Sequence, residues 1–357
     1  MAVALLSAFH VGVRLPNLWS VNYFIPGVFD GVWRRGLLGT LLTPFDPLRF
    51  HYGFVMTLQV AIFLALLAVM LRQGLRRGLP GRIIVIAFLF APTGGYMFHQ
   101  IGYVEQLLYL LLAAALAMPR SAAAAALVAI SLFIHELALF TIVPLYLANL
   151  VAERRYRAAA AHGAVILAAF VLIYVAFQTT TPDVAEALLK KVRAHANYEP
   201  RADYYEVFTS TLTSDRMRFW YGPGQHKVSL LVGFVAGLAA VASVRRPLGD
   251  GLPAAIAILG ACLAPLLLGF VGWDTGRWFF LSLCSSMAVL IGFGCQPRLW
   301  VAATFAAAFA VFAAAGHLPY FDDFKARPVW PALWSPSHLL EFFTKELPLV
   351  LTTVPSR

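Results

Sequence analysis

The sequence predicts an all-α fold, a polytopic transmembrane helix bundle, from its composition and its continuous apolar runs. Hydrophobic residues make up 61% of the 357 residues and charged residues only 12%, with a mean hydropathy of +0.76. A soluble domain carries roughly 25% charged residues, so most of this surface must face lipid. The apolar runs, such as 230–241, do not alternate with polar residues, which favours helices over barrel strands.

About eleven apolar segments are candidate spans, and several are shorter than the ~20 residues of a full span. The first has no basic n-region and no cleavage site, so it reads as a short span or a signal anchor. The pair 121–135 and 138–152 fits two short spans, a re-entrant hairpin or one long tilted helix. The segments are 1–13, 52–71, 83–98, 101–118, 121–135, 138–152, 158–177, 229–243, 253–271, 279–294 and 299–316.

Basic residues in the short connections indicate the orientation of the chain. Eleven arginines and only two acids lie in five of these connections, which are 72–82, 119–120, 153–157, 244–252 and 295–298. The positive-inside rule places such connections in the cytoplasm of a bacterial inner membrane, and eleven spans put all five on that side. The N-terminus is then cytoplasmic and the C-terminus extracytoplasmic. Fifteen of the seventeen acids face outward.

The whole chain, 1–357, is predicted to be a single integral membrane domain with a cap on its outer side. The cap consists of the outer segments 14–51 and 178–228 and the tail 317–357. Loops this long tend to be functional, and a lid over a membrane site is a natural use. Within the second segment, 185–196 is typical of an amphipathic helix on the membrane surface.

The first outer segment holds three candidate substrate-binding residues, Asp30, Arg34 and Arg35. The planar fork of an arginine is suited to gripping phosphate. The segment is therefore interpreted as a clamp for a lipid-linked phosphate. The alternative is an interfacial helix whose arginines reach to lipid headgroups.

Two further groups of ionisable residues lie at predicted outer turns. Glu105 begins an apolar helix just after His99 and Tyr103, and His135 is followed by Glu136 inside an apolar stretch. A charge at membrane depth is expensive and usually functional, so all five are candidate site residues. The alternatives are a favourable acid at a helix N-terminus and a His–Glu pair that braces two helices.

The short outer loop 272–278 contains an acid and an arginine between two tryptophans: Trp273, Asp274, Arg277 and Trp278. A simple connecting turn needs neither charge. Tryptophan belongs at the membrane interface and also stacks on sugar rings. The alternative is an Asp that caps a helix and pairs with the arginine.

Several classes of function are disfavoured by what the sequence lacks. The net charge of +10 lies largely in short loops rather than in a basic domain, so nucleic acid is not a predicted partner. The cytoplasmic connections are short, and no phosphate loop of the G-x-x-x-x-G-K type is present. The three cysteines show no metal-ligand spacing. No cofactor is predicted, and Asp322-Asp323, the weak hint of a divalent metal, is more typical of a solvated turn.

This layout resembles that of bacterial polyprenyl-phosphate-dependent glycosyltransferases of the GT-C class and of polysaccharide polymerases of the Wzy and EpsG type. The resemblance implies sugar transfer from a polyprenyl-(pyro)phosphate carrier to a glycan or lipid acceptor outside the cell. Membrane lipids and envelope-polysaccharide assembly proteins are the implied partners. The GT-C acid usually lies soon after the first span, whereas Asp30 is some sixteen residues on.

Under this resemblance the residue types suggest roles. An arginine neutralises the leaving phosphate, and the candidates are Arg34, Arg35, Arg277 and, in the second outer segment, Arg216 and Arg218. A carboxylate takes the proton of the acceptor hydroxyl, with Asp274 as the first choice. Glu136 and Glu105 are the other candidate bases, with His135 assisting, and Trp273 and Trp278 would stack on the sugar.

Three other functions remain open from the sequence. An acyltransferase acting on envelope glycans would use His135 or His99 as its base, but few polar residues lie mid-span to form an acyl path. A transporter or flippase often shows internal repeats, which this sequence lacks. An assembly scaffold needs no chemistry at all.

Overall fold

The computed structural model describes residues 1–118, 121–176, 180–206, 227–244, 248–270, 274–293 and 297–320. Every regular element in these ranges is a helix, which confirms the all-α prediction. The α-helices of eight or more residues are Ala2–Gly12, Tyr52–Arg76, Gly78–Phe90, Pro92–His99, Glu105–Ala117, Ala122–Ile134, Ile142–Ala152, Tyr156–Val171, Pro182–His195, Lys227–Ser243, Leu248–Leu263, Thr275–Gly292 and Leu299–Ala315.

Four helices are long and apolar enough to cross a membrane, and a bent pair makes a fifth candidate. The four are Tyr52–Arg76, Tyr156–Tyr174, Gly251–Phe270 and Thr275–Gly292. Six shorter apolar helices of 10–17 residues occupy the other predicted segments. These helices are compatible with a membrane-embedded protein. The count of eleven spans is not confirmed, because the shorter helices fall below the ~20 residues that a full span requires.

The bent pair corresponds to the predicted segment 83–98, which the structure divides into Gly78–Phe90 and Pro92–His99 at an angle of 69°. Pro92 has no backbone N–H and disfavours helical backbone in the residue before it. Ala91 is accordingly extended, with φ −77° and ψ 171°. The bend brings Pro92–His99 against the first helix, where a Cβ on Gly12 would lie 1.7 Å from the carbonyl oxygen of Gly95.

The region 121–152 forms two separate α-helices rather than one long helix. Between Ala122–Ile134 and Ile142–Ala152 the chain makes a short 3₁₀ helix, Glu136–Leu139. His135 is extended, with φ −167° and ψ 141°. His135 and Glu136 therefore lie at the break between the two α-helices, where Glu136 begins the 3₁₀ helix.

The two ends of helix Thr275–Gly292 contact different parts of the chain. At its C-terminal end, Arg77 donates to the carbonyl oxygens of Ile291 at 3.1 Å and Phe293 at 2.6 Å. At its N-terminal end, Arg277 pairs with Glu105. An 18-residue helix is roughly 27 Å long, so these two arginines mark opposite ends of the bundle.

An amphipathic helix is present where the sequence predicted one, at Pro182–His195. The Thr181 hydroxyl accepts a hydrogen bond from the Val184 N–H and caps its start. Its buried residues, Ala185, Leu188 and Val192, recur at helical spacing. This helix packs beside the first outer segment, where Lys191 contacts Asp30.

Candidate functional site

The first part of the site is a carboxylate held by two arginines. Arg34 Nη2 lies 2.7 Å from Glu136 Oε1, and Arg35 Nε lies 2.9 Å from Glu136 Oε2. Arg35 Nη2 also donates to Glu136 Oε1, so Arg35 binds the carboxylate through both arms of its fork. His135 Nδ1 lies 3.4 Å from the same carboxylate. Sequence positions 34–35 and 135–136 thus meet across about one hundred residues.

The chain turns tightly at Arg34 and Arg35, and this turn allows both side chains to contact Glu136. Arg35 has φ 63°, in the left-handed region that few non-glycine residues adopt. Gly36 follows, and a Cβ there would lie 1.9 Å from the Val32 carbonyl oxygen. A left-handed arginine costs roughly 1–2 kcal/mol, and such strain clusters at functional sites. The Glu136 contacts hold this conformation in place.

The second part of the site is the ion pair between Arg277 and Glu105. Their side chains are only 8% and 4% exposed. Asp274 caps the helix that carries Arg277 by accepting its backbone N–H at 3.3 Å. Asp274 Oδ2 lies 3.8 Å from Arg277 Nη1. The Asp cap that the sequence analysis offered as an alternative is therefore present, together with the buried pair.

Tyrosines join the two ion pairs into one site. The Tyr23 ring lies 6.0 Å from that of Tyr103 and 5.5 Å from that of His135. The Arg277 guanidinium lies 4.8 Å from the centre of the Tyr103 ring, a distance at which cation–π attraction operates. The Tyr23 hydroxyl accepts from Trp19 Nε1 at 3.1 Å. Tyr23 therefore stands between the Glu136 pair and the Glu105 pair.

The site carries a net positive charge. Arg14 joins it from the end of the first segment, where its Nε donates to the His99 carbonyl oxygen at 3.1 Å. With all carboxylates ionised, the formal charge is +1, from Arg14, Arg34, Arg35, Arg277, Glu105, Glu136 and Asp274. Because water screens buried charges poorly, this excess attracts an anion.

Burial perturbs the titration of groups at the edge of the site. Burial raises the pKa of the Asp274 carboxyl to about 7, although Arg277 acts in the opposite direction and Glu105 in the same direction. Burial also acts to lower the pKa of Arg35, but the Glu136 carboxylate outweighs it, and that pKa lies above its ordinary value. Asp274 can therefore exchange a proton near neutral pH, whereas Arg35 stays charged.

Several buried polar atoms at the site have no hydrogen-bond partner among the described residues. They are Glu105 Oε2, Arg277 Nη2, Arg34 Nε and Gln100 Nε2. Buried polar groups in native proteins are nearly always satisfied, so a cluster of exceptions requires an explanation. A bound ligand that supplies both donors and acceptors provides one.

The remaining candidate residues lie around this centre or apart from it. The His99 ring contacts that of Tyr320 at 4.6 Å, beside the end of Pro92–His99. The Arg277 guanidinium lies 5.7 Å from the Trp278 ring. Asp30 belongs to a separate cluster, since its carboxylate contacts Arg49 at 3.2 Å and Lys191 at 2.5 Å. Other candidates lie outside the described residues: Trp273, Arg216, Arg218, Asp322, Asp323 and most of the tail 317–357.

Sequence reasoning missed Tyr23, Arg14 and Tyr204. Tyr204 is fully buried, and its ring lies 5.5 Å from that of Tyr23. These residues sit in irregular or short helical segments, where no periodic pattern distinguishes a site residue from an interfacial one. Arg14 did carry a signal, because it is a charge at the end of an apolar segment.

Metal-binding chemistry finds no support in the described part of the chain, where no group of three His, Cys, Asp or Glu residues could hold an ion. Cys262 and Cys284 are free and buried, and Cys295 lies outside the described residues.

No protein-family model, curated protein sequence or solved structure matches the chain. The function therefore has to follow from the residues and geometry of the site.

Proposed function

We propose that this protein is a membrane glycosyltransferase or polysaccharide polymerase that uses a polyprenyl-(pyro)phosphate-linked sugar as its donor. The observation that carries the proposal is the buried, net-positive site in which Arg34, Arg35 and Arg277 converge around Tyr23. Anionic headgroups are the ligands that paired arginine forks recognise. The unpaired donors on Arg34 and Arg277 are available to phosphate oxygens.

The proposal includes eleven crossings of a bacterial inner membrane, with the N-terminus in the cytoplasm and the C-terminus outside. This orientation is supported by which predicted connections and helix ends contact one another. Arg77, in a predicted cytoplasmic connection, contacts the end of Thr275–Gly292 that leads to another such connection. Glu105 and Asp274 contact Arg277, and Glu136 contacts His135, so three acids predicted to face outward lie in the site that Tyr23 and Tyr103 connect. The layout of GT-C and Wzy-type enzymes agrees with this arrangement.

In the proposed reaction the bond between the sugar carbon and the phosphate oxygen breaks, and the phosphate leaves with the electron pair. The arginines stabilise the charge that develops on the leaving phosphate. The acceptor hydroxyl oxygen forms the new bond to the sugar carbon, and its proton passes to Asp274. A carboxyl with a pKa near 7 is well matched to this role as a general base.

The first experiment measures binding of a short isoprenyl phosphate, farnesyl phosphate, to the full-length protein in lipid nanodiscs. Arg34→Gln removes one arginine and leaves the Arg35–Glu136 pair intact. A hydrogen bond to a charged group contributes about 1.5–3 kcal/mol, so binding weakens by about tenfold or more. Arg72→Gln, in a predicted cytoplasmic connection, is the matched control and keeps wild-type affinity. Equal affinity in both variants contradicts the proposal.

The second experiment measures transfer. The protein is reconstituted in vesicles with radiolabelled farnesyl-phosphate sugars and a lipid extract that supplies acceptors. Transfer of label, lost in Asp274→Asn with normal farnesyl phosphate binding, supports the enzyme. Movement of the intact donor across the vesicle membrane, with no transfer from any sugar donor, supports a flippase instead.

A further inference from the structure

An apolar cavity of about 300 Å³ opens beside the site. It lies between helices Tyr52–Arg76, Glu105–Ala117 and Thr275–Gly292, and its lining runs along Glu105–Ala117 from the first residue to the last. At 1.5 Å per residue that helix is roughly 20 Å long. The volume is at the lower end of the range for ligand pockets. The cavity thus has the shape of a slot parallel to the helices.

The walls of this slot are hydrocarbon-like over most of their length. They include Met70, Phe88, Leu112, Phe280 and Met287. Methionine and aromatic side chains adapt to irregular apolar ligands. A polar headgroup in this stretch would lose its hydrogen bonds to water without replacement. This stretch of the slot therefore favours the hydrocarbon chain of a ligand over a polar group.

The end of the slot next to the site is polar but not cationic. It is lined by Gln100, Tyr103, Glu105, Gln106 and Tyr109. Among the described lining residues the one cation is Arg76, at the opposite end of the slot. Arg277 does not line the slot and is already paired with Glu105. A phosphate at this end would face the Glu105 carboxylate, and like charges repel in a poorly screened site.

The unpaired atoms at this end match a different headgroup. Glu105 Oε2 is an acceptor without a donor, and Gln100 Nε2 is a donor without an acceptor. Glu105 is 3% exposed and Gln100 2% exposed. A hydroxyl group can donate one hydrogen bond and accept another, which are the two bonds that these residues lack.

We infer that the slot binds a neutral lipid alcohol, with its hydrocarbon chain between the helices and its hydroxyl at Glu105 and Gln100. This assigns a second lipid site, distinct from the arginines that face the phosphate. It rests on the proposed function in one respect, because there the alcohol is the acceptor of the sugar. In that step its hydroxyl moves from Glu105 to Asp274, the two carboxylates that flank Arg277, and gives its proton to Asp274. The acceptor class is then a membrane lipid rather than a water-soluble glycan.

The inference is tested by photo-crosslinking the full-length protein in nanodiscs with a diazirine-bearing hexadecanol. Ala113→Trp places an indole in the slot, whereas Ala114→Trp changes the next residue, which is exposed and does not line it. We expect labelling to fall at least tenfold in Ala113→Trp and to stay within twofold of wild type in Ala114→Trp. Equal labelling in the two variants, or no labelling of wild type, overturns the inference.

A wild-type measurement guards against misfolding of Ala113→Trp. Cys284 lines the slot, whereas Cys262 is buried and does not. Hexadecanol should slow modification of Cys284 by an alkyl methanethiosulfonate about tenfold and leave Cys262 unaffected. If hexadecyl phosphate protects Cys284 and hexadecanol does not, the slot holds the tail of the anionic donor and the inference is wrong.

The same probes separate this inference from the proposed function. Alcohol binding in the slot without sugar transfer from any donor refutes the transferase and leaves the slot assignment standing. Sugar transfer at the wild-type rate in folded Ala113→Trp refutes the slot assignment and leaves the transferase standing.

Discussion

If Asp274 is the base of the proposed transfer, the rate of that reaction should depend on pH. With a pKa of about 7, about half of the molecules carry the ionised base at pH 7, about one-tenth at pH 6 and about nine-tenths at pH 8. We expect kcat/KM for sugar transfer to rise about fivefold from pH 6 to pH 7 and less than twofold from pH 7 to pH 8. The assay is the vesicle transfer reaction at fixed ionic strength, with a saturating lipid acceptor.

The neighbours of Asp274 determine how this profile should move. The Glu105 carboxylate raises the pKa of Asp274, and Arg277 lowers it. Glu105→Gln removes the first influence and frees Arg277 to act more strongly on Asp274. The rising limb should therefore move to lower pH, even if the maximal rate falls. A limb that stays near pH 7, or moves upward, refutes the assignment of Asp274 as the titrating base.

Stability should change in the opposite direction to activity. Because folding raises the pKa of Asp274 above its ordinary value of 3.8, the folded protein binds the proton more tightly than the unfolded chain. This contribution is fully present below about pH 3.8 and is lost as pH rises through about 7. Asp274→Asn imitates the protonated carboxyl and still caps the helix. Its thermal stability should accordingly fall less than that of wild type between pH 5 and pH 8.

Four further variants probe the ion pairs and their connections. Glu105→Gln leaves the buried Arg277 with only the more distant Asp274 carboxylate, 3.8 Å away, and should cost about 3 kcal/mol of unfolding free energy, measured by chemical unfolding. The double variant Glu105→Gln, Arg277→Gln should recover most of that stability but no transfer activity. If activity also recovered, the Arg277–Glu105 pair would have only a structural role. Tyr23→Phe removes a hydroxyl between the two pairs and should lower kcat/KM about tenfold, while the lost bond from Trp19 lowers the unfolding free energy by only about 1 kcal/mol. A much larger loss of stability would argue against a site role. Lys191→Ala breaks the 2.5 Å contact with Asp30 and should increase proteolysis within Pro182–His195, whereas unchanged cleavage would show that packing alone holds this helix.

The sequence predicted the helical class and the apolar segments well, because hydrophobic runs are a local signal. It did not predict where the run 83–98 breaks. The sequence contains Pro92, but the mean hydropathy of this run stays high on both sides of it and so gives no sign of a break. The 69° bend arises because the backbone of Ala91 is extended. Helix length also separates four to five clear spans from the shorter helices. The length of a helix depends on where its backbone hydrogen bonding ends, and the apolar composition of a segment does not show this.

The sequence predicted those residues of the candidate site that are charged and lie within apolar segments. Glu105, Glu136 and Arg277 are costly in apolar surroundings, and each one contacts an oppositely charged residue in the structure. Partners could not be assigned in advance, because they lie 101–172 residues apart in sequence. Asp30 shows the limit of this reasoning. It looked like a companion of Arg34, but its carboxylate contacts Lys191, 161 residues away.

Glu136 occupies the same guanidinium groups that an incoming phosphate would use. On the proposed function, substrate capture would be an exchange of anions, in which the Glu136 carboxylate leaves the arginines and returns when the product departs. The affinity measured for a phosphate would then reflect the difference between its binding free energy and that of the Glu136 carboxylate at the same arginines. Such an internal competitor would keep the arginines oriented in the resting protein and would help to expel a strongly charged leaving group after each turnover.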